Sequence, residues 1–140
     1  MSVGYLLDTN MVSEVRKRNG DPRVKEWIEA SLGPTLHLST VSLGEIRCGI
    51  ELRRRRDPEQ AMILERWLAR LYASFHDRIV PVTSDIAEEW GRLNTTRPLP
   101  TAGGLLAATA KVHGWSVVTR NVKDFAETGV TVVNPFAWPV

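Results

Sequence analysis

Three acidic residues lie where the chain is predicted to change its secondary structure. Asp8 follows an apolar segment at residues 3–7, Glu45 lies near the start of a predicted helix, and Asp124 follows another apolar segment. A carboxylate cluster without histidine or cysteine ligands suits a hard cation such as Mg²⁺ or Mn²⁺. Such an ion lowers the pKa of bound water and stabilises charge that develops on a phosphodiester. These three acids are therefore the candidate metal ligands and catalytic residues.

Polar and basic residues close to two of these acids are candidates for supporting roles. Uncharged polar side chains next to a metal ligand orient the carboxylates or the bound waters. The predicted supporting residues are Thr9, Asn10, Thr119 and Asn121. Two basic residues flank the last of them, and we expect them to contact a substrate phosphate: Arg120 and Lys123.

Each acid also has a purely structural interpretation. Asp8 or Asn10 is a suitable N-cap for the helix that follows. The segment Ser42–Glu45 has the form of a capping box, and Asn121–Asp124 has the spacing of a helix cap. A common site is favoured when all three acids are considered together, because a parallel sheet brings the carboxyl ends of its strands to one edge.

The elements that must position these residues alternate between strands and helices. Val3–Leu7 has no polar face, which is typical of a strand buried on both sides of a parallel sheet. Further strands are predicted at residues 35–40, 79–82, 115–119 and 130–133. Helices are predicted to start near residues 11, 22, 42, 58, 85 and 103, with a loop at 95–100. This pattern predicts an α/β fold with a mostly parallel sheet.

Composition sets the broad class of the protein. The chain has 140 residues and a net charge of +2, which predicts a single domain at residues 1–140 and permits a nucleic-acid partner. Cys48 is the only cysteine, so we expect a reducing, cytoplasmic environment. No segment approaches the ~20 apolar residues of a membrane span. We therefore expect neither a membrane association nor a secretory signal.

Several short motifs occur in order along nearly the whole chain: Leu6–Asn10, Leu43–Ile46, Arg97–Pro100 with Leu105–Ala110, and Val118–Asn121 with Asp124 and Phe125. Together they closely resemble the motifs of the PIN domain, and in particular those of the VapC toxins from bacterial toxin–antitoxin modules. The resemblance implies a three-layer α/β/α fold with about five strands. It also implies an endoribonuclease that depends on Mg²⁺ or Mn²⁺, forms a homodimer and is inhibited by a cognate antitoxin. Asp8, Glu45 and Asp124 match the metal-binding acids of the family, and Thr119 and Asn121 match its supporting polar residues.

One position departs from the family pattern. PIN domains usually have an aspartate where this chain has Gly103, so one expected carboxylate is missing. A second interpretation is therefore a catalytically impaired PIN-fold protein that retains antitoxin binding. A phosphohydrolase of small phosphoesters is less favoured, because no second aspartate follows two residues after Asp8. The run Arg53–Arg56 is either a solvated surface or a contact to an RNA backbone.

Overall fold

A five-stranded parallel sheet forms the centre of the protein. The computed structural model describes residues 4–31, 33–96 and 98–137 of the 140-residue chain. The strands are β1 (Tyr5–Leu7), β2 (Leu36–Ser39), β3 (Ile79–Val80), β4 (Ser116–Val118) and β5 (Val132–Val133). Their order is β3-β2-β1-β4-β5, and each of these neighbouring pairs is parallel. The strand that precedes Asp8 is therefore the central one.

Within the described residues, six α-helices connect or follow the strands. They are α1 (Thr9–Arg16), α2 (Pro22–Ala30), α3 (Thr40–Arg54), α4 (Pro58–Ser74), α5 (Ser84–Thr96) and α6 (Thr101–His113). Short 3-10 helices lie at Gly33–Thr35, Val122–Phe125 and Pro135–Ala137. Within the described residues, no helix has the length and apolar character needed to cross a membrane.

The sheet separates two hydrophobic cores. Successive residues of a strand point to opposite faces, and β1 follows this rule: Leu7 packs with the core that includes α1 to α4, whereas Leu6 packs with that of α5 and α6. Val118 and Val117 of β4 divide in the same way. Leu6 and Leu7 are only 0% and 2% exposed, so β1 is buried on both sides. The predicted three-layer α/β/α fold is confirmed.

Local signals placed several helix ends correctly. Asp21 and Asp57 each precede a proline in the first helical position, and their carboxylates accept hydrogen bonds from the backbone N–H groups of Arg23 and Gln60 at 2.9 and 3.1 Å. Helix α6 is capped at its C-terminal end by Gly114, whose φ of 73° lies in the left-handed region that glycine adopts without strain. Pro81 follows directly after β3 at the sheet edge, as expected for a residue without a backbone donor.

The capping box predicted at Ser42–Glu45 is wrong. Helix α3 begins at Thr40, and the Ser39 hydroxyl caps it by accepting a hydrogen bond from the Val41 N–H at 3.0 Å. Ser39 is also the last residue of β2, so the strand passes directly into the helix. Ser42 lies within the helix, fully buried, and its hydroxyl has no hydrogen-bond partner among the described residues.

The predicted boundaries of α5 and α6 also needed correction. Asp85 is not the cap of α5, because the Thr83 hydroxyl accepts the hydrogen bond from the Ile86 N–H at 3.3 Å. Helix α5 continues to Thr96, into the predicted loop, and α6 begins at Thr101, two residues earlier than predicted. Arg97, within that predicted loop, lies outside the described residues.

Candidate active site

Asp8 lies at the carboxyl end of the central strand and caps the helix that follows. Its Oδ1 accepts a hydrogen bond from the Thr9 N–H at 2.7 Å, and its own N–H donates to the Val118 carbonyl of β4 at 2.9 Å. The backbone at Asp8 is thus fixed by the sheet on one side and by α1 on the other. The capping interpretation and the site interpretation are both compatible with this position, because the cap occupies only one carboxylate oxygen.

A network of polar side chains holds the second oxygen of Asp8. The Thr119 hydroxyl donates to Asp8 Oδ2 at 2.7 Å, and the Asn10 amide lies 3.3 Å from both Oδ2 and the Thr119 oxygen. The buried Thr119 also accepts a hydrogen bond from the Asn121 N–H at 2.9 Å, and the Arg120 N–H donates to the Asn10 side chain at 3.4 Å. These bonds tie the turn after β4 to the end of β1.

A single residue, Thr9, forms hydrogen bonds to both Glu45 and Asp8. The Thr9 hydroxyl donates to Glu45 Oε1 at 2.6 Å, while the Thr9 N–H is bonded to Asp8. Glu45 is exposed on the second turn of α3, because that helix starts earlier than the sequence indicated. Its carboxylate therefore faces the site and plays no part in capping.

The three predicted acids influence one another electrostatically. Partial burial raises the pKa of Asp8 above its usual value, and the charges of Glu45 and Asp124 raise it further. Hydrogen bonds from Thr119 and Thr9 act in the opposite direction because they stabilise the carboxylate. Within residues 4–31, 33–96 and 98–137, no group of three acidic, histidine or cysteine residues is close enough to hold one metal ion together. The acids thus share an electrostatic environment without forming a closed set of ligands.

Asp124 is an exposed residue of the 3-10 helix Val122–Phe125, and its N–H donates to the Asn121 carbonyl at 3.1 Å. The Asn121 side chain makes no capping bond to this helix. A cavity of about 390 Å³ adjoins Asp124. Its lining consists of Arg120, Asn121, Val122, Lys123, Asp124 and Asn134. The structure therefore brings both basic residues predicted to contact a substrate phosphate to the same cavity as one of the acids.

The Arg120 guanidinium is supported by residues that the sequence did not single out. Its carbon atom lies 3.9 Å from the centre of the Phe136 ring, and one terminal nitrogen lies 3.8 Å from the Glu14 carboxylate. Glu14 is only 8% exposed, and a hydrogen bond from the Asp21 N–H lowers its pKa. Glu14 and Arg120 are far apart in the chain and belong to no common motif, so no sequence signal links them.

A second cavity, of about 230 Å³, adjoins the Glu45 side of the site. Its lining residues come from α1, α3 and α4 and are Thr9, Ser13, Arg16, Glu45, Ile46, Gly49, Ile50, Arg53, Leu64 and Trp67. The Arg16 guanidinium lies 5.7 Å from the centre of the Trp67 ring. The site thus has one cavity beside Asp124 and another beside Glu45.

Gly103 lies in the first turn of α6 with space around it. A Cβ built at this position would have no atom within 4 Å, apart from its chain neighbours and its own helix. The adjacent Gly104 is different, because a Cβ there would lie 2.9 Å from Cδ1 of Trp90. Packing therefore explains the glycine at 104 but not the glycine at 103.

The fold and the site define an α/β/α protein with acidic residues at the carboxyl edge of a parallel sheet. The PIN domain family model matches residues 5–130. The chain therefore belongs to the PIN domain family, as the sequence motifs predicted. PIN-domain nucleases in general use divalent metal ions.

Several proteins similar to this chain have names from toxin–antitoxin systems. A protein named VapC ribonuclease Y4jK, from Sinorhizobium fredii, is 29% identical over 136 residues, which cover 94% of this chain and 96% of the relative. The crystal structure of FitAcB from Neisseria gonorrhoeae contains a chain with a TM-score of 0.88 and 28% identity, covering 95% of this chain and 99% of that one. A toxin–antitoxin complex from Klebsiella pneumoniae has a chain with a TM-score of 0.66 and 28% identity, covering 96% and 98%. The VapC-type branch predicted from the motifs agrees with these relatives.

Proposed function

We propose that this protein is a metal-dependent endoribonuclease toxin that a cognate antitoxin inhibits. The observation that carries this proposal is the environment of Asp8 at the end of the central strand. Thr9 and Thr119 are bonded to its two carboxylate oxygens, and the charges of Glu45 and Asp124 act on it. The names of the similar VapC ribonuclease and of the toxin–antitoxin complex support the same function.

The residues at the site suit a hard divalent cation, Mg²⁺ or Mn²⁺. The available side-chain ligands are carboxylates, and Mg²⁺ commonly uses only one or two of these together with waters and substrate phosphates. Burial and, to a smaller extent, the charges of Glu45 and Asp124 raise the pKa of Asp8, and a bound positive ion would favour its charged form. Asp8, together with Glu45 or Asp124, would hold the ion, with waters in the remaining positions. When bound, such an ion activates water and stabilises the charge that develops on the phosphodiester.

The other residues of the site position the acids and the substrate. Thr119 and Asn10 hold Asp8 against rotation, and Thr9 holds Glu45. Arg120 and Lys123 border the cavity beside Asp124, where positive side chains are suited to contact the phosphates next to the bond that is cleaved. Asn121 keeps the turn in place through its backbone bond to Thr119.

A second candidate function follows from Gly103. With a glycine at this position, the first turn of α6 supplies no carboxylate to the site. A catalytically impaired PIN-fold protein would keep the fold and the binding of the antitoxin but would cleave RNA slowly or not at all. The open space around Gly103 favours this candidate, since no packing constraint requires the glycine.

We propose an antitoxin protein as the partner and a homodimer as the oligomeric state. A similar chain, 28% identical, is part of a toxin–antitoxin complex from Klebsiella pneumoniae, and this supports the antitoxin partner. We expect the antitoxin to place a basic side chain beside Asp8, whose pKa is raised by burial and by the charges of Glu45 and Asp124. We expect the chain to co-purify with the product of a neighbouring reading frame. Two species that migrate separately at micromolar concentration would contradict this partner assignment.

An RNA cleavage assay in Mn²⁺ tests the proposed activity directly. The wild-type chain is expected to cleave a mixed pool of oligoribonucleotides, and Asp8→Asn is the matched control because it keeps the size of the side chain and removes the charge. Cleavage by the wild-type chain that Asp8→Asn abolishes supports the nuclease. No cleavage by the wild-type chain, combined with retained binding to the antitoxin, would favour the impaired protein instead.

A further inference from the structure

A basic surface extends from the acidic site along α3. Its first part is the cavity of about 230 Å³ that contains Glu45, and its second part is an adjoining cavity of about 330 Å³ lined by Gly49, Leu52, Arg53, Arg55 and Arg56. Gly49 and Arg53 line both cavities, so the two form one depression. We call this depression, from Glu45 to Arg56, the basic trough.

The arginines of the trough are not neutralised by neighbouring acids. Glu51 of α3 and Glu65 of α4 are bound by two other arginines: Arg47 contacts them at 3.0 and 2.6 Å, and Arg54 at 3.1 and 2.6 Å. In the part of the chain that the structure describes, no acidic oxygen lies within 4.0 Å of the side-chain nitrogens of Arg53, Arg55 or Arg56. All three side chains are exposed. The trough therefore has positive charge available for an anionic ligand.

Gly49 lines the trough without a side chain. Glycine lowers the stability of a helix interior, and at this position no packing contact requires it, because a built Cβ would have no atom within 4 Å. Positions 45, 49 and 53 lie on one face of α3 at successive spacings of four. They span about 12 Å along the helix axis at 1.5 Å per residue. A side chain at position 49 would stand between the acidic site and the arginines.

We propose that the basic trough binds the phosphate backbone of a single RNA strand as it leaves the acidic site, and that Gly49 keeps this path open. The proposal rests on the proposed ribonuclease function. A positively charged groove next to an aromatic side chain is typical of surfaces that bind single-stranded nucleic acid. Trp67 supplies that aromatic side chain, with Arg16 beside it. Because the trough leads directly to Glu45, a strand bound there has one end at the site of cleavage.

The salt dependence of RNA binding tests the arginines. The equilibrium affinity for a short unstructured oligoribonucleotide is measured without divalent metal over a range of salt concentrations. For single strands the slope of log affinity against log salt changes by about 0.7 per phosphate contact. The double variant Arg55→Ala, Arg56→Ala is therefore expected to reduce the slope by about 1.4. The matched control is Arg66→Ala, Arg70→Ala, which removes two exposed arginines of α4 that line neither cavity, and it should leave the slope unchanged.

A second pair of variants tests the path itself. Gly49→Gln places a neutral side chain in the trough and should weaken RNA binding at least tenfold while thermal stability stays the same or rises. Gly91→Gln makes the same change in the middle of α5, where a built Cβ also has no atom within 4 Å, and should leave RNA binding unchanged. Because neither position is packed, a loss of binding at position 49 cannot be ascribed to misfolding.

The outcomes distinguish a failure of the trough proposal from a failure of the proposed nuclease activity. If the wild-type chain cleaves RNA but neither the arginine pair nor Gly49→Gln changes the affinity or its salt dependence, the trough assignment is overturned and the nuclease stands. If both variants weaken RNA binding while the wild-type chain shows no cleavage in Mn²⁺, the trough stands and the proposed activity fails. Arginine-dependent binding of an acidic peptide without any binding of RNA would overturn the trough as an RNA site.

Discussion

The Thr9 hydroxyl donates a hydrogen bond of 2.6 Å to Oε1 of Glu45. The same residue donates its backbone N–H to Oδ1 of Asp8 at 2.7 Å. One threonine at the start of α1 therefore positions two acids that lie on different elements, a central strand and the third helix. This arrangement depends on the direct passage from β1 into α1, because a longer connection would separate the cap from the site.

Replacing Thr9 by valine should impair catalysis without unfolding the protein. Valine keeps the shape of the side chain and the backbone N–H that bonds to Asp8, but it cannot donate to Glu45. Loss of a partner that orients a metal ligand typically reduces activity or metal affinity by about 10–100-fold. Cleavage rates in Mn²⁺ and calorimetric metal titration would measure this. Thr9→Ser restores the hydroxyl and should recover most of the loss, so equal rates for valine and serine would contradict the role of Thr9.

Asp8→Asn should abolish cleavage and leave the metal-free protein at least as stable as the wild type. Partial burial and the charges of Glu45 and Asp124 raise the pKa of Asp8, which means that its charged form is disfavoured in the folded state. Asparagine removes that charge and still offers an oxygen to cap α1. Thermal unfolding in the presence of a chelator and RNA cleavage in Mn²⁺ would be compared. A variant that cleaves at the wild-type rate would remove Asp8 from the site.

The sequence predicted most of the fold because its strands are short apolar segments and its helices begin with strong local signals. Asp21 and Asp57 before proline are examples of such signals. The start of α3 was misplaced because two serines, Ser39 and Ser42, both suit a cap. The choice between them depends on where β2 ends, and that is set by pairing with β1 and β3 rather than by the local sequence.

These two serines make a matched pair for a stability measurement. Ser39→Ala removes the cap of α3 and should lower the free energy of unfolding by about 1 kcal/mol. Ser42→Ala removes a buried hydroxyl that has no partner among the described residues, so it should leave the stability unchanged or increase it. Denaturant unfolding of both variants would show the difference. A larger loss at position 42 than at 39 would restore the capping box as the correct interpretation.

The candidate site was only partly predictable. Asp8 and Thr119 directly follow the neighbouring strands β1 and β4, and Asn10 lies in the first turn of α1, so a parallel sheet brings them together. The contact between Glu14 and Arg120 was not foreseen, because it depends on how α1 packs against the turn after β4. Contacts of this kind arise from tertiary packing between distant segments, which leaves no periodic pattern in the sequence.

A stack of three rings at the other end of the sheet predicts a pH dependence of stability. Trp115 is stacked between His37 and His113, with ring centroids 3.9 and 4.1 Å away. Burial is the main cause that lowers the pKa of His37, and the charges of Arg78 and His113 lower it further, while hydrogen bonds with the backbone of Tyr5 and Thr35 oppose the shift. The folded state therefore binds this proton less readily than the unfolded chain does, so His37 favours unfolding when the solution becomes acidic.

We expect the wild-type chain to lose stability as the pH falls below about 6.5, the ordinary value for histidine, towards the lowered pKa of His37. His37→Phe keeps an aromatic ring against Trp115 and should reduce this loss. His76→Gln changes an exposed histidine in a turn and serves as the control. Melting temperatures measured between neutral and mildly acidic pH test this. The same pH dependence in the His37→Phe variant and the wild type would assign the effect to other groups.

The last prediction concerns Gly103, the position at which the chain departs from the family pattern. A Cβ built there has no atom within 4 Å, so an aspartate fits without displacing a neighbour. Position 103 is the third residue of α6, where a negative charge also interacts favourably with the helix N-terminus. In the absence of metal, added repulsion with the other acids would offset part of that gain.

Gly103→Asp should therefore raise Mn²⁺ affinity and RNA cleavage at least tenfold. Loss of a residue that supports a metal site typically changes affinity or activity by about 10–100-fold, and tenfold is the lower end of that range. It should also make expression toxic to a host that lacks the antitoxin. Gly103→Asn is the matched control: it adds a side chain of the same shape without the charge, so it should reproduce neither gain. Calorimetric metal titration, a cleavage assay and a growth assay would be run on all three proteins. Equal metal binding, cleavage and growth for the aspartate variant and the wild type would show that position 103 does not supply a ligand to this site. If asparagine and aspartate increased cleavage equally, the gain would come from loss of the glycine and not from the restored carboxylate.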